Sequence, residues 1–467
     1  MASEKLIELT ADKLPSGMFP SAEPAAGPTW RTGKNVWFRE LNVDQVLGRQ
    51  KIVGLIGGRT SMAMNQVFTT GGVKRIYYED FGAFFRNENG VSTLIDSLDV
   101  GGDYDTETWG DWLIATDDIN HLKYWNGTGG FVDLGDAASN FAHCSIVKRL
   151  AQHLLAYNTD QLPTGFHWCT ANDPTIWTPD LTNSARNLNI RNLDSEIIAV
   201  CPIAAAHGVY SKNAMLVVQY VGPSQWFGTP TQAVVGIGAV SKHSVVSLGQ
   251  TNYGLSRGGI FVTDGSSFQY IDRPAIDKWL QENVDWTRAS TIVGYHNERL
   301  GLIVWSVPIM AGGFTCIAVD PQTRQATTSQ KTFTYLDTRM GFGIERNIFD
   351  YPIISQSDGI YFESVVGTLA NDFSLTTNLF NAGTEEYFKS WDYLTAPGIY
   401  DSSAQIRVGF TDAPDVSTIE WNPWVPMVTK VPFGPRESIY LALDFQSQGP
   451  FRMSGLTVYG EKAGSIN

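Results

Sequence analysis

Between residues 51 and 365 one pattern keeps returning: a short run rich in β-branched and aromatic residues, a polar turn, and a second such run with an aromatic near its end. The runs are Ile76–Tyr78, Ala83–Arg86, Trp112–Thr116, Leu122–Trp125, Leu154–Tyr157, Phe166–Cys169, Ala214–Tyr220, Gly259–Thr263, Phe268–Ile271, Leu300–Val307, Thr315–Val319, Pro352–Ser355 and Ile360–Glu363. The stretch His243–Leu280 shows the unit most plainly. Its runs Ser244–Leu248, Gly259–Thr263 and Phe268–Ile271 read as strands, and Asp264-Gly265 joins the last two. An Asp-Gly pair between apolar runs signals a hairpin, because both central turn residues then take positive φ. Asn89-Gly90, Asn126-Gly127 and Ser357-Asp358-Gly359 repeat the chemistry. Couplets start roughly 40 to 50 residues apart, the spacing of four-stranded propeller blades, so about seven blades fill the span, with six or eight also open.

Composition agrees. Aromatics reach 12%, Gly numbers 45 and charged residues fall to 17%, a balance that favours strands over helices. One amphipathic helix is expected after Ile271. Asp272 or Arg273 can cap it, Pro274 suits its first turn, and Ile276, Trp279, Leu280 and Val284 share a face. It should pack beside a blade, with Trp279 in the core.

Outside the repeat the chain reads differently. Residues 1–50, with Pro15, Pro20, Pro24 and Pro28, read as an extended N-terminal arm for packing or subunit contact, ending in a first strand at Val36, Trp37 and Phe38. From residue 366 to 467 a separate antiparallel β-sandwich or barrel is expected. Residues 371–398 look irregular, and strands should follow at Ala404–Phe410, Ser438–Phe445 and Phe451–Tyr459.

Cys144, Cys169, Cys201 and Cys316 lie far apart without C-x-x-C spacing, so neither a zinc ribbon nor a disulfide framework is implied, and synthesis in a reducing compartment fits. The start MASEKLIELTADKLPSG lacks a basic segment followed by an apolar one, so no signal peptide is expected. The most apolar window, Gly301–Phe314, is interrupted by Ser306 and Pro308 and is too short for a membrane span. Net charge is −14. Ten acids (Asp96, Asp99, Asp103, Asp105, Glu107, Asp111, Asp117, Asp118, Asp133 and Asp136) face one base, Lys123, in a single stretch. A surface of that kind would repel phosphate and disfavour static DNA binding.

Four patterns invite a chemical reading. Gly254-Leu-Ser256-Arg-Gly258 matches G-x-S-x-G, but that motif works on a turn from strand to helix, and here a strand follows. His143-Cys144 and His167-Trp-Cys169 could be combined as metal ligands, yet they sit in or beside strands and lack the short spacing of zinc sites. Asp99, Asp103 and Asp105, with Gly101 and Gly102 between, could hold calcium; the spacing departs from the EF-hand loop, and a solvated acidic loop is expected. Thr263-Asp264-Gly265-Ser-Ser-Phe268 and Ser357-Asp358-Gly359-Ile-Tyr-Phe362 are similar to the Asp-box turns of sialidase propellers, which are structural. No residue is assigned to catalysis, to a cofactor or to a metal.

Several stretches in succession resemble the tail nozzle proteins (tail hub, or tail tubular B-like proteins) of short-tailed bacteriophages. They are Lys34-Asn-Val-Trp-Phe38 leading to Leu47-Gly48-Arg49; Ser145-Ile-Val-Lys-Arg-Leu150 with Leu154-Leu-Ala-Tyr157; Trp168, Asn172-Asp-Pro174 and Trp177; and the segment His243–Leu280. At the end come Arg407-Val-Gly-Phe410, Trp421 and Phe451-Arg-Met-Ser-Gly455-Leu-Thr-Val458. The acidic stretch and the loop Gly222–Val240 have no counterpart in the resemblance. What it implies is a virion structural protein without catalysis or cofactor: a propeller with a second β-domain, made in the host cytoplasm and assembled in the virion tail. Six copies would ring a DNA channel between the head-to-tail adaptor and a distal needle, spike or fibre, and serve DNA ejection. The residues themselves add a mechanism: some of the acids from Asp96 to Asp136 would line that lumen so that DNA slides past. The alternative is a carbohydrate-binding propeller or glycosidase of a phage tail, working through aromatic stacking and paired carboxylates.

Overall fold

The computed structural model describes residues 4–9, 28–39, 42–55, 61, 63–98, 104–229, 233–271, 273–321, 333–336, 342–344, 348–369, 372–383, 387–428 and 430–465. It is an all-β protein built around a seven-bladed propeller. Blade one is Met64–Phe68, Lys74–Asp80, Ala83–Glu88 and Val91–Ser97, each strand antiparallel to the next. Blade two runs from Asp105–Trp109 to Val132–Asp133, blade three from Cys144–Leu150 to Arg186–Asn189, and blade four from Ala199–Ile203 to Trp226–Gly228. Blade five runs from Val245–Ser247 to Phe268–Ile271, and blade six from Val293–Asn297 to Phe333–Leu336. The first strand of each blade lies against the first strand of the next, and Phe342–Ile344 of blade seven returns to Met64–Phe68.

The ring is closed by the other end of the chain. Blade seven holds Phe342–Ile344, Ile353–Gln356 and Gly359–Leu369, and its outermost strand is Leu47–Val53, paired antiparallel with Gly359–Leu369 so that Glu363 faces Arg49 and Phe362 faces Gln50. A strand borrowed from hundreds of residues away ties the two ends of the ring together, and loop-closure entropy grows only slowly with that separation.

Side-chain alternation explains why the strands read as continuous apolar runs. Blades stack face to face, so a middle strand is buried on both sides. Leu113 and Ala115 join Tyr77 and Phe84 of blade one, whereas Ile114 joins Val147 and Leu154 of blade three. Leu155 and Tyr157 pack on Val209 and Leu216, Tyr210 on Phe261, and Leu255 on Ile303 and Trp305. Val304 packs on Ile354, and Ile353 on Met64 and Tyr78. Each of the seven seams is therefore filled by an apolar cluster, and the one between blades five and six runs on into the C-terminal β-domain.

All thirteen runs read from the sequence coincide with strands of these blades. The Asp264-Gly265 turn differs in detail. Gly265 has φ +92° but Asp264 stays outside the left-handed region. The turn is longer than two residues, and the Asp264 carboxylate holds it by accepting the N–H groups of Ser266 (2.9 Å) and Ser267 (2.8 Å). At Asn89-Gly90 both residues do have positive φ. The helix forms as Arg273–Asn283 against the strand Gly259–Thr263, with Ile276, Leu280 and Val284 buried and Trp279 packed on the same cluster; Asp272 lies outside the described residues.

The first 50 residues are not a free-standing arm where they are described. Trp30–Lys34 pairs with Phe373–Thr377, Asn42–Gln45 with Phe451–Met453, and Glu4–Leu9 with Leu456–Ser465. Pro15, Pro20 and Pro24 lie outside the described residues. The C-terminal β-domain is thus a sandwich built from both ends of the chain. One sheet is Glu4–Leu9, Leu456–Ser465, Tyr387–Thr395 and Lys430–Ser438. A second is Trp30–Lys34, Phe373–Thr377, Tyr440–Ser447 and Gln405–Thr411, with short strands at its edge. Trp391, Leu394 and Val458 of the first meet Leu375, Ile406 and Phe445 of the second. A smaller sheet carries Val36–Arg39, Asn42–Gln45, Phe451–Met453 and Gly398–Tyr400, clamped by Arg452 on Asp44 at 2.7 Å. Residues 371–398, expected to be irregular, contain the strands Phe373–Thr377 and Tyr387–Thr395.

Candidate functional site

The seven first strands surround a channel of about 630 Å³ along the propeller axis, to which every blade contributes a residue. A cavity of this size is in the range of small-molecule sites. Its charged lining is Asp105 and Glu107 from blade two, Lys148 from blade three, and Lys242 and His243 just before blade five. Asp105 and Glu107 are two apart on one strand and so share its channel face. Lys242 and His243 are set in place by the His243 carbonyl, which accepts the Gly294 N–H of blade six at 2.7 Å.

Asp105 is buried, and its oxygens accept Lys148 Nζ at 2.7 and 2.8 Å and the Val147 N–H at 3.0 Å. Burial favours its neutral form, but Lys148, then His243 and Lys242, outweigh it and hold the carboxyl below its ordinary range. Lys148 is correspondingly raised: burial lowers it, and Asp105 and Glu107 more than compensate. Glu107 goes the other way. Burial pushes its carboxyl up, and Lys148 with the Thr108 and Arg149 N–H groups offsets only part of that. Behind this wall, the neutral His207 ring donates from Nε2 to the Arg149 carbonyl (3.2 Å) and accepts the Tyr157 O–H at Nδ1 (2.9 Å). Burial takes its pKa down to about 3.

The described acids of the stretch are engaged in hydrogen bonds and ion pairs; Asp105 and Asp117 are buried and most of the others half-buried. Among its described members only Asp133 is exposed, and it pairs with Lys123 at 2.6 Å. Most of the others bind the neighbouring blade. Asp96 accepts the Phe131 N–H (2.8 Å), Asp111 the Thr70 N–H (2.9 Å), Asp118 the Ser145 O–H (2.6 Å) and Asp136 the Thr178 N–H (2.8 Å). Asp117 holds its own turn through the Asn120 N–H at 2.8 Å. Of the possible calcium set, Asp105 is committed to Lys148, while Asp99 and Asp103 lie outside the described residues.

The other candidates prove structural. Ser256 ends a strand; its hydroxyl donates to the Gly259 carbonyl (3.0 Å) and accepts the Gly258 N–H (3.2 Å), and the chain continues into the strand Gly259–Thr263 rather than a helix. Cys144 and Cys169 share one apolar cluster, where burial pushes both thiols up to about 12, so neither offers a thiolate. His167 packs on the Phe141 ring at 5.1 Å, and burial lowers it to about 4. No group of three or more His, Cys, Asp or Glu placed to hold a metal occurs among the described residues. Asp264 and Asp358 serve turns; Asp358 accepts the Tyr361 O–H at 2.5 Å. Sequence reasoning missed Lys148 and the Lys242-His243 pair. The available signal was Lys148, which with Arg149 interrupts the otherwise mostly apolar run Cys144–Leu150.

No family model matches the sequence, and no curated protein matches it. Among solved structures, the chain is similar to a candidate 6-phosphogluconolactonase from Bacteroides fragilis, with 12% identity and a TM-score of 0.38 over 68% of this chain and 90% of that one. A counterpart from Bacteroides uniformis gives 16% identity and a TM-score of 0.36 over 67% and 95%. The computationally designed Ika8 protein gives 9% and 0.37 over 67% and 99%.

Proposed function

We propose that this chain is a structural subunit of the tail of a short-tailed bacteriophage. Six copies would form a nozzle or hub ring below the head-to-tail adaptor, carry the needle, spike or fibres distally, and leave a lumen through which DNA is ejected. The observation that supports this is the coupling of a closed propeller to a second β-domain made from both chain ends. That two-part body is what the sequence resemblance implies. The net charge of −14 also suits a body that lets DNA pass without holding it. Asp96, Asp111, Asp118 and Asp136 bind across blade seams, so this argument rests on the net charge and not on those four acids.

The sugar-processing alternative has less support. It needs two available carboxylates across a reacting bond. Asp105 has its oxygens taken by Lys148 and the Val147 N–H, which leaves Glu107 alone in the channel. Mass photometry of the purified chain, alone and with an adaptor ring, tests the proposal. Addition of six copies per adaptor ring is expected; failure to associate with the ring, together with turnover of a glycan, would overturn it.

A further inference from the structure

The propeller channel has a chemistry that a purely structural subunit does not require. Three basic side chains, Lys148, Lys242 and His243, line it against two acids. One acid, Asp105, is saturated, and it holds the Lys148 ammonium at a fixed place on the wall. Lys242 and His243 come from the segment before blade five, whose position is fixed by the hydrogen bond between His243 and Gly294. With Lys148 they line one and the same cavity.

We propose that this channel is a binding site for a small oxyanion, a phosphate- or carboxylate-bearing molecule, held by Lys148, Lys242 and His243. The volume of about 630 Å³ admits more than a bare ion. Ammonium and imidazole groups are point donors that suit phosphate and carboxylate alike. Two acids on the same wall oppose an anion; Asp105 is offset by Lys148, so Glu107 is the one that sets an upper limit on affinity. Cys201 is itself buried, but it lines the channel and keeps 6% exposure where Cys144, Cys169 and Cys316 have none, so what alkylation the chain shows reports on whether the cavity is filled.

The test uses the full chain at constant ionic strength, balanced with sodium chloride. Inorganic phosphate and succinate are titrated separately by calorimetry, and Cys201 alkylation is followed in parallel. Saturable binding of at least one of the two is expected, with Cys201 protected along the same curve. Lys242→Gln should weaken binding about tenfold or more, and Glu107→Gln should tighten it several-fold. Binding of phosphate alone or of succinate alone assigns the oxyanion. Heats no larger than those of chloride, a Lys242→Gln variant that binds like the parent, or Cys201 unprotected at saturation would each overturn the proposal. Should Lys242→Gln fail to fold, the Glu107→Gln response decides the matter: unchanged or weaker affinity refutes the site. The outcome is independent of whether the chain assembles into a ring.

Discussion

Replacing Glu363 by Gln probes how the propeller is closed. Glu363 stands on the strand Gly359–Leu369, in register with Arg49 of the closing strand, and is 4% exposed. Across the seam, Tyr295 donates its O–H to the carboxylate and Asn297 donates Nδ2–H at 3.1 Å. Burial pushes the carboxyl from its ordinary 4.5 up to about 7, with Arg49 opposing. At about 1.4 kcal/mol per pH unit, that displacement corresponds to about 3 kcal/mol. The sign follows from which state binds the proton. Below pH 4.5 the group is protonated in both states and its contribution is complete. Between 4.5 and 7 the unfolded chain ionises first, so stability falls as pH rises; above 7 the loss is complete. Gln is neutral throughout and can still accept from Tyr295 and Asn297. Urea unfolding followed by tryptophan fluorescence at pH 5, 6, 7 and 8 should therefore show Glu363→Gln gaining on the parent chain with pH, by up to about 3 kcal/mol at pH 8. A difference between the two that is the same at pH 5 and pH 8, or that shrinks as pH rises, would refute the account of the seam.

Two further perturbations address the channel and the closure. Lys148→Met alone should cost about 3–5 kcal/mol, because it strands the buried Asp105 charge; Asp105→Asn, which leaves a partly exposed ammonium, should cost less, and the double variant should recover most of the larger loss; a urea double-mutant cycle measures the coupling. Removing residues 1–53 deletes Leu47–Val53 from blade seven together with the N-terminal strands of the sandwich. Calorimetry of that truncated chain should show no cooperative transition, and a propeller that still melts cooperatively would mean that the closing strand is dispensable.

The thirteen runs visible in the sequence are middle or outer strands of blades, and most middle strands are legible because they are buried on both faces: Leu302–Pro308 is buried throughout. Apart from Ser244–Leu248 in blade five, the first strands escape notice for an equally physical reason. Asp105–Trp109 reads DTETW and Val293–Asn297 reads VGYHN. One face of such a strand meets the channel, where charge and hydroxyl replace apolar side chains. Fourth strands such as Arg186–Asn189 and Val132–Asp133 are short and half-exposed or exposed, which removes the alternation. Pairing of Trp30–Lys34 with Phe373–Thr377 joins segments more than three hundred residues apart. Nothing local marks it, so two ends of one domain read as an arm and an irregular stretch.

The acidic stretch shows why charge in a sequence does not translate directly into charge on a surface. A carboxylate that accepts an N–H from the next blade is worth more than a neutral hydrogen bond, and it fixes both direction and distance. Asp96, Asp111 and Asp136 do this at the seams among blades one, two and three, and Asp118 accepts the Ser145 O–H there, beside apolar clusters that fill the space but do not set a register. Asp105 and Glu107 extend the same stitching to the channel wall, through the Val147 and Arg149 N–H groups. The density of acids thus follows from how a propeller holds adjacent blades in step. It follows that neutralising Asp96 or Asp136 should loosen the blades, read as a urea midpoint below that of the parent chain.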